Sequence, residues 1–152
     1  MNRGRAVSDI RRVRFLFKDG EKIGVTEAGG RSNLEKGYDG ECCAGAYYAA
    51  RGFAIAERNW RYKKIGEVDI IAARHTGQPL LVFCEVKARS NPVFVAPAQA
   101  VNSQKQRRLR KLAALYIQQH PEYADYYVRF DIAEIFLENG RAAALNLLEN
   151  AF

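Results

Sequence analysis

An α/β domain with a mixed central sheet covered by helices is the fold class this sequence predicts, and three observations carry it. Two apolar runs, residues 68–73 and 80–86, flank the turn cluster His75, Thr76, Gly77, Gln78 and Pro79, which is the pattern of a β-hairpin. The second run is apolar on both faces, Leu81 and Phe83 on one and Val82, Cys84 and Val86 on the other, as in a central, covered strand. A helix follows whose Leu109, Leu112, Ala113, Tyr116 and Ile117 form a core-facing stripe. The resulting order is α-β-β-β-α-β-β.

Residues 1–36 open with Arg3, Arg5, Arg11, Arg12 and Arg14 and read as a basic, flexible extension, with a short hairpin over 12–18 and 21–26 as an option. The domain proper is expected over 37–152. Its first helix is expected over 33–51, with Ser32 and Glu35 as a capping box and Gly52 as its stop. Residues 53–61 give the first strand, Phe53 and Ile55 sharing a face, and Arg58, Arg61, Lys63 and Lys64 cluster where the chain turns back toward the hairpin. Trp60 in that strand reads as a packing anchor ahead of a base-stacking platform. Pro92 and Pro97 exclude a regular helix over 90–100, which is read as a loop leaving the hairpin. The second helix is expected over 104–119, capped by Ser103 and Gln106 and stopped by Pro121. Strands over 127–136 and 143–148, joined by the turn Glu138-Asn139-Gly140, complete the chain; Arg129 and Asp131 share a face and read as a structural pair.

The hairpin also carries charge where apolar residues are expected. A turn symmetric about Gly77 places Asp69 opposite Glu85 and Glu67 opposite Lys87, all on one face. Opposed residues have Cβ atoms about 4.5–5.5 Å apart, so Asp69 and Glu85 need a compensating partner. A hard divalent cation meets that need, since Mg²⁺ is held by one or two carboxylates together with water and phosphate oxygens. A solvated surface ribbon, or a plain Glu67–Lys87 ion pair, is the competing reading.

The chain of 152 residues has a net charge of +7, 48% hydrophobic and 27% charged residues, enough for one domain with its own core. The stretch 86–121 holds seven basic residues and no acid, which favours a polyanionic partner. In the second helix Lys105 lies in line with the apolar stripe, while Arg107, Arg108, Arg110 and Lys111 lie on the flanks and outer face without acidic partners four residues away. With Arg89 these are the candidate nucleic-acid contacts. No apolar run approaches the roughly 18 residues of a membrane span, and a cytoplasmic protein without membrane association is expected. Cys42, Cys43 and Cys84 lack metal-site spacing and are read as reduced thiols.

Asp69 followed by Glu85-Val86-Lys87 on the next strand resembles the D…(D/E)-x-K signature of restriction-endonuclease-like nucleases. More closely, Gly40-Glu41, Arg58-Asn59-Trp60-Arg61, Gly66-Glu67-Val68-Asp69, Phe83-Cys84-Glu85-Val86-Lys87, Arg129-Phe130-Asp131 and Asn150-Ala151-Phe152 together resemble the YraN-like family, which is assigned to that fold. The resemblance implies a restriction-endonuclease-like core and a Mg²⁺- or Mn²⁺-dependent endonuclease acting on nucleic acid, DNA ahead of RNA. It implies catalytic Asp69, Glu85 and Lys87, with Glu41 and the Val86 carbonyl as further metal ligands; on charge alone, Glu41 equally well complements its helix dipole. Glu67 is either an accessory ligand or the partner of Lys87, and Arg61 is a further accessory candidate. Related folds include dimeric branched-DNA resolvases, so branched DNA and a homodimer enter by analogy alone. The alternative is a nucleic-acid-binding protein of the same fold without hydrolysis.

Overall fold

The hairpin stands at the centre of one six-stranded mixed sheet. The computed structural model describes residues 11–16, 33–90 and 101–152, with side chains from residue 40 onward. Its elements are β1 (Arg11–Leu16), α1 (Asn33–Ala49), β2 (Ala54–Tyr62), β3 (Gly66–Arg74), β4 (Leu80–Arg89), α2 (Ser103–Gln119), β5 (Tyr127–Glu138) and β6 (Arg141–Glu149), with a single 3-10 turn at Pro121–Tyr123 before β5. The strand order is β1-β6-β5-β4-β3-β2. Among the described residues only the β4–β5 pair is parallel, because α2 carries the chain across the sheet between them. The arrangement matches a restriction-endonuclease-like core.

The covered strand predicted from its two apolar faces is β4, and the two clusters it separates form the core. On one side Val82 and Cys84 pack with Cys43, Ala44, Tyr47 and Tyr48 of α1. On the other Leu81 and Phe83 pack with Leu109, Leu112, Ala113 and Tyr116 of α2, the stripe read from the sequence. Trp60 sits edge-on to Tyr116 with ring centroids 5.1 Å apart, so it is a packing anchor. Gly40 lets the start of α1 cross β4 closely, since a Cβ there would lie 3.3 Å from Val86 Cγ1. That crossing brings Glu41 over β4.

Two expectations are corrected. Residues 11–16, assigned to a flexible extension, form the edge strand β1, paired antiparallel with β6; alternating Val13 and Phe15 with arginines suits an edge position. The other proposed hairpin strand, over 21–26, the Ser32–Glu35 capping box and most of the loop over 90–100 lie outside the described residues. The cap of α2 is Asn102 rather than Ser103: its side chain accepts the Lys105 N–H at 2.9 Å, while Gln106 donates to the Val101 carbonyl. Among the described residues no helix is long and apolar enough to cross a membrane, and Cys42, Cys43 and Cys84 form no disulfide.

Candidate active site

The hairpin register agrees with the sequence reading where it is paired: Ile70 faces Cys84, Ile71 faces Phe83 and Ala73 faces Leu81. The ladder stops at Ile70, one residue short of Asp69. On the other side, the β2–β3 ladder skips the Asn59–Asp69 position, with Arg58 paired to Ile70 and Trp60 to Val68. Asn59 has φ 51°, a left-handed conformation that asparagine tolerates better than most residues. The side-chain alternation breaks there, since Ile70 packs toward α1 and Val68 toward α2.

At this break Asp69 does not simply oppose Glu85. Its Oδ2 accepts the Val86 backbone N–H at 2.7 Å, a bond directed into the gap between the strands. Burial first, and then the Glu85 and Glu41 charges, push the Asp69 pKa up to about 7, against the pull of the Val86 N–H. Glu41 is held nearby by Asn59, which donates from Nδ2 to Glu41 Oε2 at 2.7 Å, while Arg58 donates to the Glu41 carbonyl at 3.1 Å. The structure thus brings Asp69, Glu85 and Glu41 within electrostatic reach of one another.

Glu67 does not pair with Lys87. It forms a 2.5 Å ion pair with Arg61, its register neighbour on β2, because the β2–β3 ladder runs on past the point where β3 and β4 separate. Glu85, nearly buried, is paired instead with the Lys105 ammonium from α2. Lys105 therefore points into the site, as its place in the apolar stripe implies, and not outward with Arg107 and Lys111. Lys87 is half-buried; burial lowers its pKa, and Glu85 draws it part of the way back.

Asp69, Glu85, Glu67 and Lys105 border an open cleft of about 310 Å³ between the β2–β3 turn and the start of α2, while Lys87 and Glu41 lie outside its lining. Asp69, Glu85 and Glu67 supply its acid, and Arg61, Lys63, Lys64, Lys105 and Arg108 its basic wall. Arg108 lies across Gly66, where a Cβ would come within 3.1 Å of Arg108 Cδ and where φ is 150°. Of the other predicted contacts, Arg107 and Lys111 are exposed on α2 outside the cleft, and Arg89 is half-buried at the end of β4. Arg110 lies 5.3 Å over the Phe152 ring. Lys63 and Lys64 belong to the basic cluster read before the hairpin, but that reading assigned them no role. Asn59 was missed as well; an asparagine inside a strand pattern, next to residues that must bend, was the available signal.

Among the described residues no three His, Cys, Asp or Glu side chains form a ready metal cage. The pair Asp69 and Glu85 nonetheless fits a hard cation, being two oxygen donors whose mutual repulsion is written into the raised Asp69 pKa. The raised pKa, due first to burial and then to the Glu85 charge, has a consequence for stability. The unfolded carboxyl loses its proton near 3.8 and the folded one near 7, so between these values the folded state binds more protons and stability falls as pH rises. The penalty is absent below the first value and complete above the second. Asp69→Asn, permanently neutral, should therefore raise stability at pH 8 by on the order of 2 kcal/mol, allowing for the water that reaches this group, and by little at pH 4. Denaturant melts with a chelator present, at both pH values, check it; equal gains at both would contradict a charge-based cause.

Residues 40–135 match the model of a family described as Uncharacterised protein family UPF0102. A UPF0102 protein of Natranaerobius thermophilus is 32% identical over 121 residues, covering 80% of this chain and 99% of that protein. One from Clostridium botulinum is 37% identical over 79% of this chain and 95% of its own length. Another, from Alkaliphilus metalliredigens, is 38% identical over 74% of this chain and 93% of its own.

Proposed function

The chain belongs to the uncharacterised protein family UPF0102, and from that premise we propose that it is a metal-dependent nuclease cleaving phosphodiester bonds in DNA or RNA, with Mg²⁺ or Mn²⁺ as cofactor. The observation that carries this reading is the pairing, in one open cleft, of two mutually repelling carboxylates, Asp69 and Glu85, with a wall of cations. Phosphodiester hydrolysis needs both: acid to gather a cation, and base to gather the polyanion.

Asp69 and Glu85 would hold the divalent ion, with Glu41 and the Val86 carbonyl as candidate supplements. When bound, such an ion acidifies water and stabilises the charge that builds on phosphate. The Val86 N–H fixes Asp69 Oδ2 and leaves Oδ1 as its remaining donor. Lys105 pairs with Glu85 and orients it until an incoming charge competes for it. Lys87, two residues from Glu85, orients the attacking water or neutralises the phosphorane; its burial-lowered pKa suits proton transfer as well. Arg61, Lys63, Lys64 and Arg108 hold the flanking phosphates.

The test is a cleavage panel of single-stranded, duplex and branched DNA and RNA with Mg²⁺ and with Mn²⁺, with Lys87→Ala as control. Divalent-dependent cutting that chelator and Lys87→Ala both abolish is expected; the absence of cutting on every substrate sinks the reading. A nucleic-acid-binding protein without hydrolysis is then the better account, and the Lys105–Glu85 ion pair favours it in one respect, since it already neutralises a would-be ligand.

Binding itself has a separate expectation. Arg108 lies in the cleft and Arg107 on the exposed helix face beside it. Converting both to alanine should weaken binding to a labelled duplex about tenfold at 0.1 M salt and lower the salt slope by roughly two, in proportion to the lost phosphate contacts. Fluorescence anisotropy against salt measures this, and an unchanged slope would remove α2 from the interface.

A further inference from the structure

Behind the cleft a row of polar side chains crosses the sheet where apolar ones would be expected. In register, Lys87 of β4 neighbours Glu134 of β5, which neighbours Asn146 of β6. The preceding row on the same face is Glu85, Ile132 and Leu148, and the last two pack against α2, so the polar row lies under the α2 side of the sheet. Glu134 and Asn146 are each 1% exposed. Asn146 Nδ2 donates to Glu134 Oε2 at 2.9 Å, which fixes the carboxylate plane. Glu134 Oε1 and Asn146 Oδ1 are left without a hydrogen-bond donor among the described residues.

A buried carboxylate oxygen without a donor costs several times what a normal hydrogen bond contributes, so two such acceptors side by side call for a donor with more than one proton. The ammonium of Lys87 has the chemistry of that group, although no hydrogen bond joins it to Glu134 in this structure. It is half-buried, stands on the neighbouring strand at the matching register, and Glu134 is among the charges acting on it. Glu85, its other carboxylate neighbour, is already engaged by Lys105.

We propose that Glu134, oriented by Asn146, is a positioning residue that receives the Lys87 ammonium on its free oxygen and sets the direction from which Lys87 reaches the cleft. Its catalytic consequence rests on the nuclease reading; the contact itself does not. A second structural role follows: Lys87 supplies the counter-charge that lets a carboxylate sit at this depth.

Two measurements on the full chain separate these points. In the first, amines are acetylated with a limiting activated ester and the extent is read by peptide mass spectrometry, with Lys63 and Lys64 as internal references. Glu134→Gln should raise labelling of Lys87 at least about threefold, because its ammonium loses a charge-assisted bond. Asn146→Ser, which frees the carboxylate to rotate, should change Lys87 labelling in the same direction and serves if the glutamine variant does not fold. Unchanged labelling in both overturns the contact, whether or not any substrate is cut. In the second, on whichever substrate the cleavage panel identifies, Glu134→Gln should lower kcat about tenfold with KM unchanged, and should cost nothing further in a Lys87→Ala background. Independent, multiplying losses would overturn the positioning role. If the wild type cuts nothing, the nuclease reading fails and the labelling result alone decides the contact.

Discussion

Glu85→Gln should reduce divalent-dependent cleavage by about 10² to 10³-fold, in kcat rather than KM, and leave the fold intact. Glutamine keeps the shape and one acceptor oxygen of the nearly buried side chain but removes the charge a hard cation requires. Its former partner Lys105 keeps roughly 30% side-chain exposure and so can rehydrate, which is why a folding defect is not expected. Affinity for nucleic acid in chelator should hold or rise, because a negative charge leaves a cleft whose wall carries five cations. Single-turnover cleavage beside anisotropy measures both at once. Wild-type cutting by Glu85→Gln would place the activity elsewhere on the chain or in a contaminant, whatever the panel showed.

How far such a residue can be found without a structure depends on whether its geometry is local. Glu85 and Lys87 were legible because strand alternation around Gly77 fixes their face, and the paired part of the hairpin follows that register to Ile70 and Cys84. Asp69 was legible as a charge within the hairpin but not in its contact. Its turn toward the Val86 N–H depends on a ladder break at Asn59, a backbone event that alternation arithmetic cannot contain. Glu67 went to Arg61 for the same reason, since the ladder that continues decides the pairing. Lys105 was visible as a charge in an apolar stripe, yet its destination on Glu85 belongs to how α2 packs. Glu134 and Asn146 gave no signal. Each sits singly within an apolar strand, and only the pairing of β4, β5 and β6 in the sheet puts them in a row with Lys87. The edge strand β1 was hidden by its arginines, which suit an edge facing water as well as they suit an unstructured arm.

Asp131→Ala should destabilise the fold by about 3 kcal/mol and lower the melting midpoint by roughly 10 °C, the largest loss expected from a residue outside the cleft. Asp131 is 1% exposed and satisfies three separate parts of the molecule. Its Oδ2 accepts the Tyr48 hydroxyl of α1 at 2.7 Å and the Arg129 guanidinium at 2.8 Å, and its Oδ1 accepts the Asn150 N–H at 2.9 Å. Alanine would strand a buried tyrosine hydroxyl and a largely buried guanidinium, leaving Arg129 only Glu149 at 3.2 Å. Replacing both Arg129 and Asp131 with apolar residues should therefore cost less than Asp131→Ala alone, since no uncompensated charge remains. The same carboxylate holds α1 against β5, while Glu41 of α1 keeps its own anchor in Asn59. Cleavage by Asp131→Ala, measured at least 15 °C below its own midpoint, should stay within about threefold of wild type, since no acceptor in the cleft is altered. A loss as deep as that of Glu85→Gln at that temperature would instead make Asp131 part of the catalytic machinery.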